Sequence, residues 1–217
     1  MQLYSGPLSL FTAKVRIALA EKGLAYDRIE VAWSLAHRYE PHHPEVVRLN
    51  PKRQVPVLVD GDVALYDSTV ILEYLEDRHP EPPLYPREPA ARARCRRLEL
   101  EADELLFPHV WGLIETGFYP AEEADAGRAA AARAGVAAFH LRLEKELGED
   151  AHLCGAFGVA DLANYVMLNA AATLGAPVAA SHPTLQSWLA RVGARPAVHR
   201  EQEAMAAFAR EAFAGRG

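Results

Sequence analysis

The sequence predicts an α/β domain followed by an all-helical bundle, and three observations carry that expectation. Strand-like and helix-like patterns alternate through residues 1–79, proline crowds residues 80–89, and helical patterning runs nearly unbroken through residues 90–217. A chain of 217 residues is long enough for two cores. The expected division is therefore a first domain at 1–79, a linker at 80–89 and an all-α domain at 90–217.

The elements follow in order. "QLYS" is a short strand and "GPLS" a turn. "LFTAKVRIALAEKG" then places Val15, Ala18, Leu19 and Lys22 at helical spacing and stops at Gly23, a residue suited to the position after a helix end. "AYDRIEVAW" alternates as a second strand, and the polar stretch from Ser34 to Leu49 holds at most a short helix. Val57–Val59 and Val63–Leu65 are two strands around the Asp60-Gly61 turn. "DSTVILEYLEDRHP" is a helix capped by Ser68, with Val70, Ile71, Tyr74 and Leu75 on one apolar face. Five prolines between Pro80 and Pro89 mark the linker. The remaining segments, from "ARCRRLELEADELLFPHVWGLIE" to "AVHREQEAMAAFAREAF", are rich in alanine, leucine and arginine, which favour helix, and show no repeat period.

Charge and cysteine content narrow the function. A net charge of −6, with 9 basic and 11 acidic residues before Pro80, leaves no basic module for nucleic acid. The N-terminus lacks the charged and apolar regions of a signal peptide, and no apolar run nears the roughly 20 residues of a membrane helix. Two cysteines without metal-ligand spacing point to a reduced, cytoplasmic setting, and the nine histidines form no zinc pattern.

One residue breaks the strand pattern. In "NPKRQVPVLVDGDVALYDS", Pro56 stands where a strand begins and has no N–H for a ladder, so the backbone just before it is left to pair with something else. That stretch, "PLSLFTAKVRIALAEKGL" before it and "FGVADLANYVML" after it resemble the cytosolic glutathione transferases over essentially the whole chain. The resemblance is to the serine-using members, bacterial-type or tau/theta-like. It implies a thioredoxin-like N-terminal domain (βαβ-ββα) followed by an all-helical C-terminal bundle.

It also implies a site. In the family the proline is cis, and the residue before it, here Val55, pairs its backbone with the cysteinyl part of glutathione as an added strand. Val55, Pro56, Asp67 and Ser68 would bind glutathione, with the γ-glutamyl carboxylate at the helix start beside Ser68 and the α-amino group near Asp67. His42, Lys52, Arg53 and Gln54 are the candidates for the glycyl carboxylate. Asp161, in "GVADL", matches a capping motif in which Gly158 replaces the usual hydroxyl residue, and is structural.

The chemistry then needs a donor to the sulfur. A free thiol titrates near pH 8.5, and lowering that by about two units takes about 2.7 kcal/mol of thiolate stabilisation. One hydrogen bond to a charged group supplies about 1.5 to 3 kcal/mol. No cysteine precedes Cys95, and Tyr4 falls one residue early, which in a strand reverses the side-chain direction. Ser9 matches the serine-using pattern, five residues before the Lys14 that opens "KVR", although Leu10 stands where the family often has proline. Ser5 and Thr12 are fallback donors. The resemblance places the electrophile pocket beside the Ser9 loop, with Leu10, Phe11, Trp111, Glu115 and Tyr119 as lining candidates. It implies a homodimer and transfer of glutathione to a hydrophobic electrophile. Glutathione-dependent isomerisation, dehalogenation or peroxide reduction, and a non-catalytic binding or regulatory role, are the alternatives.

Overall fold

The computed structural model describes residues 1–40, 42–118, 126–148 and 150–214. Its elements are β1 (Gln2–Ser5), α1 (Leu10–Glu21), β2 (Asp27–Glu30), α2 (Pro44–Leu49), β3 (Val57–Asp60), β4 (Val63–Tyr66), α3 (Ser68–Arg78), α4 (Pro89–Glu101), a π-helical turn (Ala102–Leu106), α5 (Phe107–Phe118), α6 (Ala126–Leu147), α7 (Val159–Thr173), α8 (Pro183–Gly193) and α9 (Pro196–Ala212). Contacts divide the chain into two units, Met1–Pro83 with Arg195–Gly217, and Leu84–Ala194. No described helix is long and apolar enough to cross a membrane.

The first unit has a thioredoxin-like core, a four-stranded sheet of order β2-β1-β3-β4. β1 runs parallel to β2 and antiparallel to β3, and β3 is antiparallel to β4. Alternation along the strands loads both faces. Leu3 and Leu58 pack with Val15 and Leu19 of α1 and Ile71 and Leu75 of α3. Their neighbours Tyr4 and Val57 face the other way, into a cluster with Val31 and with Val46 of α2. Each such apolar side chain contributes about 1.5 to 3 kcal/mol by leaving water, so a one-residue slip of β1 would exchange the two clusters and lose both.

α9 belongs by its contacts to this unit, although helical patterning alone grouped it with the bundle. Arg16 of α1 is buried and meets Glu201 of α9 with Nε at 3.0 and 2.9 Å from the two carboxylate oxygens. Arg195 bonds Glu21 at 3.0 and 2.6 Å. Trp33 packs edge-on against Phe208 and Phe213, at ring distances of 5.8 and 5.7 Å.

Two details of α3 differ from the sequence reading. The N-cap is Asp67, whose carboxylate accepts the Thr69 N–H, so Ser68 is the first helical residue. Val70 is 48% exposed while Ile71, Leu72 and Leu75 are buried, because a step of about 100° per residue turns Val70 away from the sheet.

The second unit is all α. Pro108, in the first turn of α5, has no N–H to bond the preceding turn, and between α4 and α5 the helix widens so that the Phe107 N–H reaches the Ala102 carbonyl. At the start of α7, Asp161 is fully buried. It accepts from Leu153 N at 3.0 Å, Gly158 N at 3.0 Å and Trp188 Nε1 at 2.7 Å. Glycine stands at 158 because the Leu84 carbonyl lies against it and accepts the Val159 N–H at 3.0 Å, and any Cβ would collide with that oxygen.

Candidate functional site

Register brings the candidate residues to one end of the sheet. Tyr4 of β1, Val57 of β3 and Tyr66 of β4 are neighbours in a row. Beyond that row the chain leaves β1 towards Ser9, enters β3 from Val55 and Pro56, and leaves β4 towards Asp67 and Ser68. β1 and β4 are parallel, so α1 and α3, packed side by side on one face, both begin at this end. Two helix N-termini with unsatisfied N–H groups therefore face the same rim, which favours a negatively charged ligand there.

Ser9 is the N-cap of α1 and is half-buried. Its Oγ accepts the Thr12 N–H at 3.2 Å, which leaves the hydroxyl proton available. The other hydroxyls at this end are placed differently. Ser5 is buried and its Oγ accepts from Arg16 Nη1 at 2.5 Å, while Thr12 Oγ1 is buried with no partner among the described residues. Tyr4 lies in the α2-side cluster with its ring 5.1 Å from His43, away from the face that carries α1. Arg16 also donates to the Gly6 carbonyl at 3.1 Å, so one buried guanidinium braces the loop that presents Ser9. Gly6 is glycine for want of room: a Cβ there would lie 2.6 Å from the Tyr39 hydroxyl.

A turn built by Asn50 leads into the proline. The buried Asn50 donates from Nδ2 to the Gln54 carbonyl at 2.7 Å, and its Oδ1 accepts the Lys52 N–H at 2.9 Å. Its carbonyl accepts the Arg53 N–H at 2.8 Å, and Arg53 takes a left-handed φ of 57° to close the turn. The Val55–Pro56 peptide is cis. The ladder stops at Val57, so Val55 has no strand partner among the described residues.

On the other side of the rim Asp67 holds φ 74° and ψ 124°, a conformation that costs a non-glycine residue about 1 to 3 kcal/mol. It caps Thr69 N at 3.1 Å and meets Lys52 Nζ at 3.2 Å. The strain turns the chain so that Ser68, only 3% exposed, opens α3 at the rim. Among the described residues the Ser68 hydroxyl has no hydrogen-bond partner, and the Ser68 and Val70 N–H groups have no carbonyl within the helix.

The remaining candidates are dispersed. His42 is held by the Tyr39 carbonyl at 3.1 Å and by Glu40 at 2.9 Å. Arg53 and Gln54 are exposed. Leu10 is buried, and Phe11 is half-buried with Lys14 Nζ 5.6 Å from its ring centre. In the second unit, Trp111 packs against Phe107 at 6.1 Å, and Glu115 pairs with Arg128. Tyr119 lies outside the described residues. Among the described residues no group of three or more His, Cys, Asp or Glu is placed to hold a metal ion. The supporting residues Asn50, Arg16 and Glu201 escaped the sequence reading. Only Asn50 carries a local signal, the Asn-Pro pair that starts a turn.

A thioredoxin-like unit followed by an all-helical unit defines a broad class of two-domain folds. Within it the match is specific: residues 3–83 match the N-terminal domain of glutathione S-transferases and residues 105–196 their C-terminal domain. The chain belongs to the glutathione S-transferase family. It is 44% identical over 119 residues, 54% of this chain and 53% of the other, to a stringent starvation protein A homolog of Coxiella burnetii. It is 43% identical over 93 residues, 43% of this chain and 41% of the other, to glutathione S-transferase Z1 of Arabidopsis thaliana. These matches span about half the length of those relatives. Among solved structures it is similar to a sphingomonad glutathione S-transferase complexed with glutathione, with 29% identity and a TM-score of 0.78 over 95% of this chain and 99% of the other.

Proposed function

We propose that the chain is a glutathione transferase that binds glutathione along the rim and holds its sulfur as a thiolate for attack on a hydrophobic electrophile. The observation that carries this reading is the row Tyr4, Val57 and Tyr66, beyond which Ser9, Val55 and Ser68 each leave a polar group without a partner among the described residues. The sphingomonad relative's complex with glutathione supports the choice of ligand.

In this reading the γ-glutamyl carboxylate takes the Ser68 hydroxyl and the free N–H groups of α3, and Asp67 receives the α-amino group. The cysteinyl backbone pairs with Val55, and Pro56 ends the ledge. Lys52 is engaged with Asp67 and His42 with Glu40, so Arg53 and Gln54 are left for the glycyl carboxylate. Ser9 donates its hydroxyl proton to the sulfur while Thr12 N–H holds the oxygen in place. It stabilises the thiolate and does not remove the proton. Conjugation, isomerisation, dehalogenation and peroxide reduction share that thiolate, and Leu10, Phe11, Trp111, Glu115 and Tyr119 are the residues proposed to select among them.

The protein is further proposed to act as a homodimer, with the exposed Val70 of one unit and Leu100 and Leu105 of the other among the apolar residues covered. Calorimetric titration with glutathione followed by a panel of electrophiles tests the function. Binding with turnover supports it, and absence of binding rejects it. A second reading, a non-catalytic binding module, draws on the 44% match to a protein whose name states no reaction. Glutathione binding without turnover of any electrophile would select that reading.

A further inference from the structure

A single buried charge connects the C-terminal helix to the Ser9 loop. Arg16 is buried in α1, and both edges of its guanidinium are taken. Nε and Nη2 form a fork on the Glu201 carboxylate of α9, with Nε at 3.0 and 2.9 Å from its two oxygens. Nη1 reaches the other way, to Ser5 Oγ at 2.5 Å and to the Gly6 carbonyl at 3.1 Å. That same carbonyl accepts the Ser9 N–H at 3.3 Å. Polar contacts therefore run without a break from Glu201 through Arg16 and Gly6 to the residue that caps α1.

α9 is also fixed on either side of Glu201. Arg195, at its start, bonds Glu21 at the end of α1 at 3.0 and 2.6 Å. Phe208 and Phe213, at its far end, take the Trp33 ring, just past Val31, whose N–H bonds the Ser5 carbonyl at 2.9 Å. The helix thus runs back along α1 towards the loop, and the Glu201 side chain, 10% exposed, is held in place and largely out of water.

We propose that Glu201 is a positioning residue for Ser9, acting through Arg16, a role that rests on the reading of Ser9 as the donor to the glutathione sulfur. A buried guanidinium that loses its carboxylate is left as an uncompensated charge and turns towards water. Ser5 and Gly6 would then lose their donor, and the turn that aims the Ser9 hydroxyl would loosen. A group misplaced by about 1 Å can lose roughly 100-fold in rate. The sign of the effect separates positioning from charge: removing a carboxylate by field alone would make the thiol more acidic, whereas loosening Ser9 makes it less acidic.

The test compares full-length Glu201→Gln, Arg16→Lys and Arg195→Ala with the native protein. Arg16→Lys keeps the charge but cannot span Glu201 and the loop at once, and it serves as the second variant. In both Glu201→Gln and Arg16→Lys, amide exchange at Ser9 and Thr12 should quicken about tenfold. The thiol of bound glutathione should titrate about one unit higher, while affinity for S-methylglutathione, which has no thiol to ionise, stays within about twofold. The double variant should be no worse than either single. Arg195→Ala, which loosens α9 without touching Arg16, should leave Ser9 exchange and the thiol titration as in the native protein. Native exchange at Ser9 and Thr12 in both loop variants would overturn the proposal. So would a thiol pKa that holds or falls in them while Ser9→Ala raises it. If the native protein binds no glutathione, the reading of the rim fails, and the exchange result alone decides whether Glu201 positions Ser9.

Discussion

The N-termini of α3 and α7 begin from similar parts and are finished in opposite ways. At α7 the acid is Asp161, wholly buried, and its carboxylate satisfies Leu153 N, Gly158 N and Trp188 Nε1 within the chain. At α3 the acid is Asp67, with a side chain 40% exposed, which caps one N–H and meets one lysine while Ser68 is left unserved. A saturated helix start holds a fold together. An unsaturated one, kept by a strained residue, has capacity for a ligand.

The largest effect expected from breaking the contrast is at Asp161. Asp161→Ala leaves three donors unpaired, one of them at the buried start of α7, and should cost about 3 to 5 kcal/mol in denaturant unfolding. The glutathione affinity of the molecules that remain folded should not change.

The closed interior of the second unit should also show in its response to acid. Burial, and then the neighbouring His182, lower the His140 pKa to about 4. The unfolded chain binds that proton from about pH 6.5, so between those values the unfolded state holds more protons and stability falls as pH falls. The loss should reach about 3 kcal/mol below pH 4, and His140→Phe should flatten that part of the unfolding curve.

The open rim should respond in function and not in stability. Ser9→Ala should lower kcat/KM by roughly 10- to 150-fold, the equivalent of about 1.5 to 3 kcal/mol of lost thiolate stabilisation. The KM for glutathione should hold and the lost cap should cost only about 1 kcal/mol of folding stability. Ser68→Ala should weaken glutathione binding about tenfold by calorimetry, with little change in melting because Asp67 still caps α3. Smallest of all, Lys52→Ala removes an exposed pair and should shift stability by about 0 to 1 kcal/mol.

The contrast also marks how far the sequence could be read. The order of strands and helices was legible because period-two and helical patterns alternate cleanly, and the odd position of Pro56 pointed to a ledge without a strand partner. Asp161 was legible as structural through the resemblance of "GVADL" to a capping motif of the family. The attachment of α9 was not, because it rests on Arg16 and Glu201, which lie far apart in the chain and carry no local signal. Ser68 was read as the cap because serine and aspartate both cap well, and only the left-handed φ of Asp67 decides between them. Val70 was placed inward by its apolar character, while the helix geometry turns it out.

The most direct measurement is the pH titration, by ultraviolet thiolate absorbance, of glutathione bound to the native protein and to Ser9→Ala. The account predicts a thiol pKa about two units below the free value near 8.5 in the native complex, returning most of the way in the variant. A bound thiol that titrates near 8.5 in both proteins would contradict it.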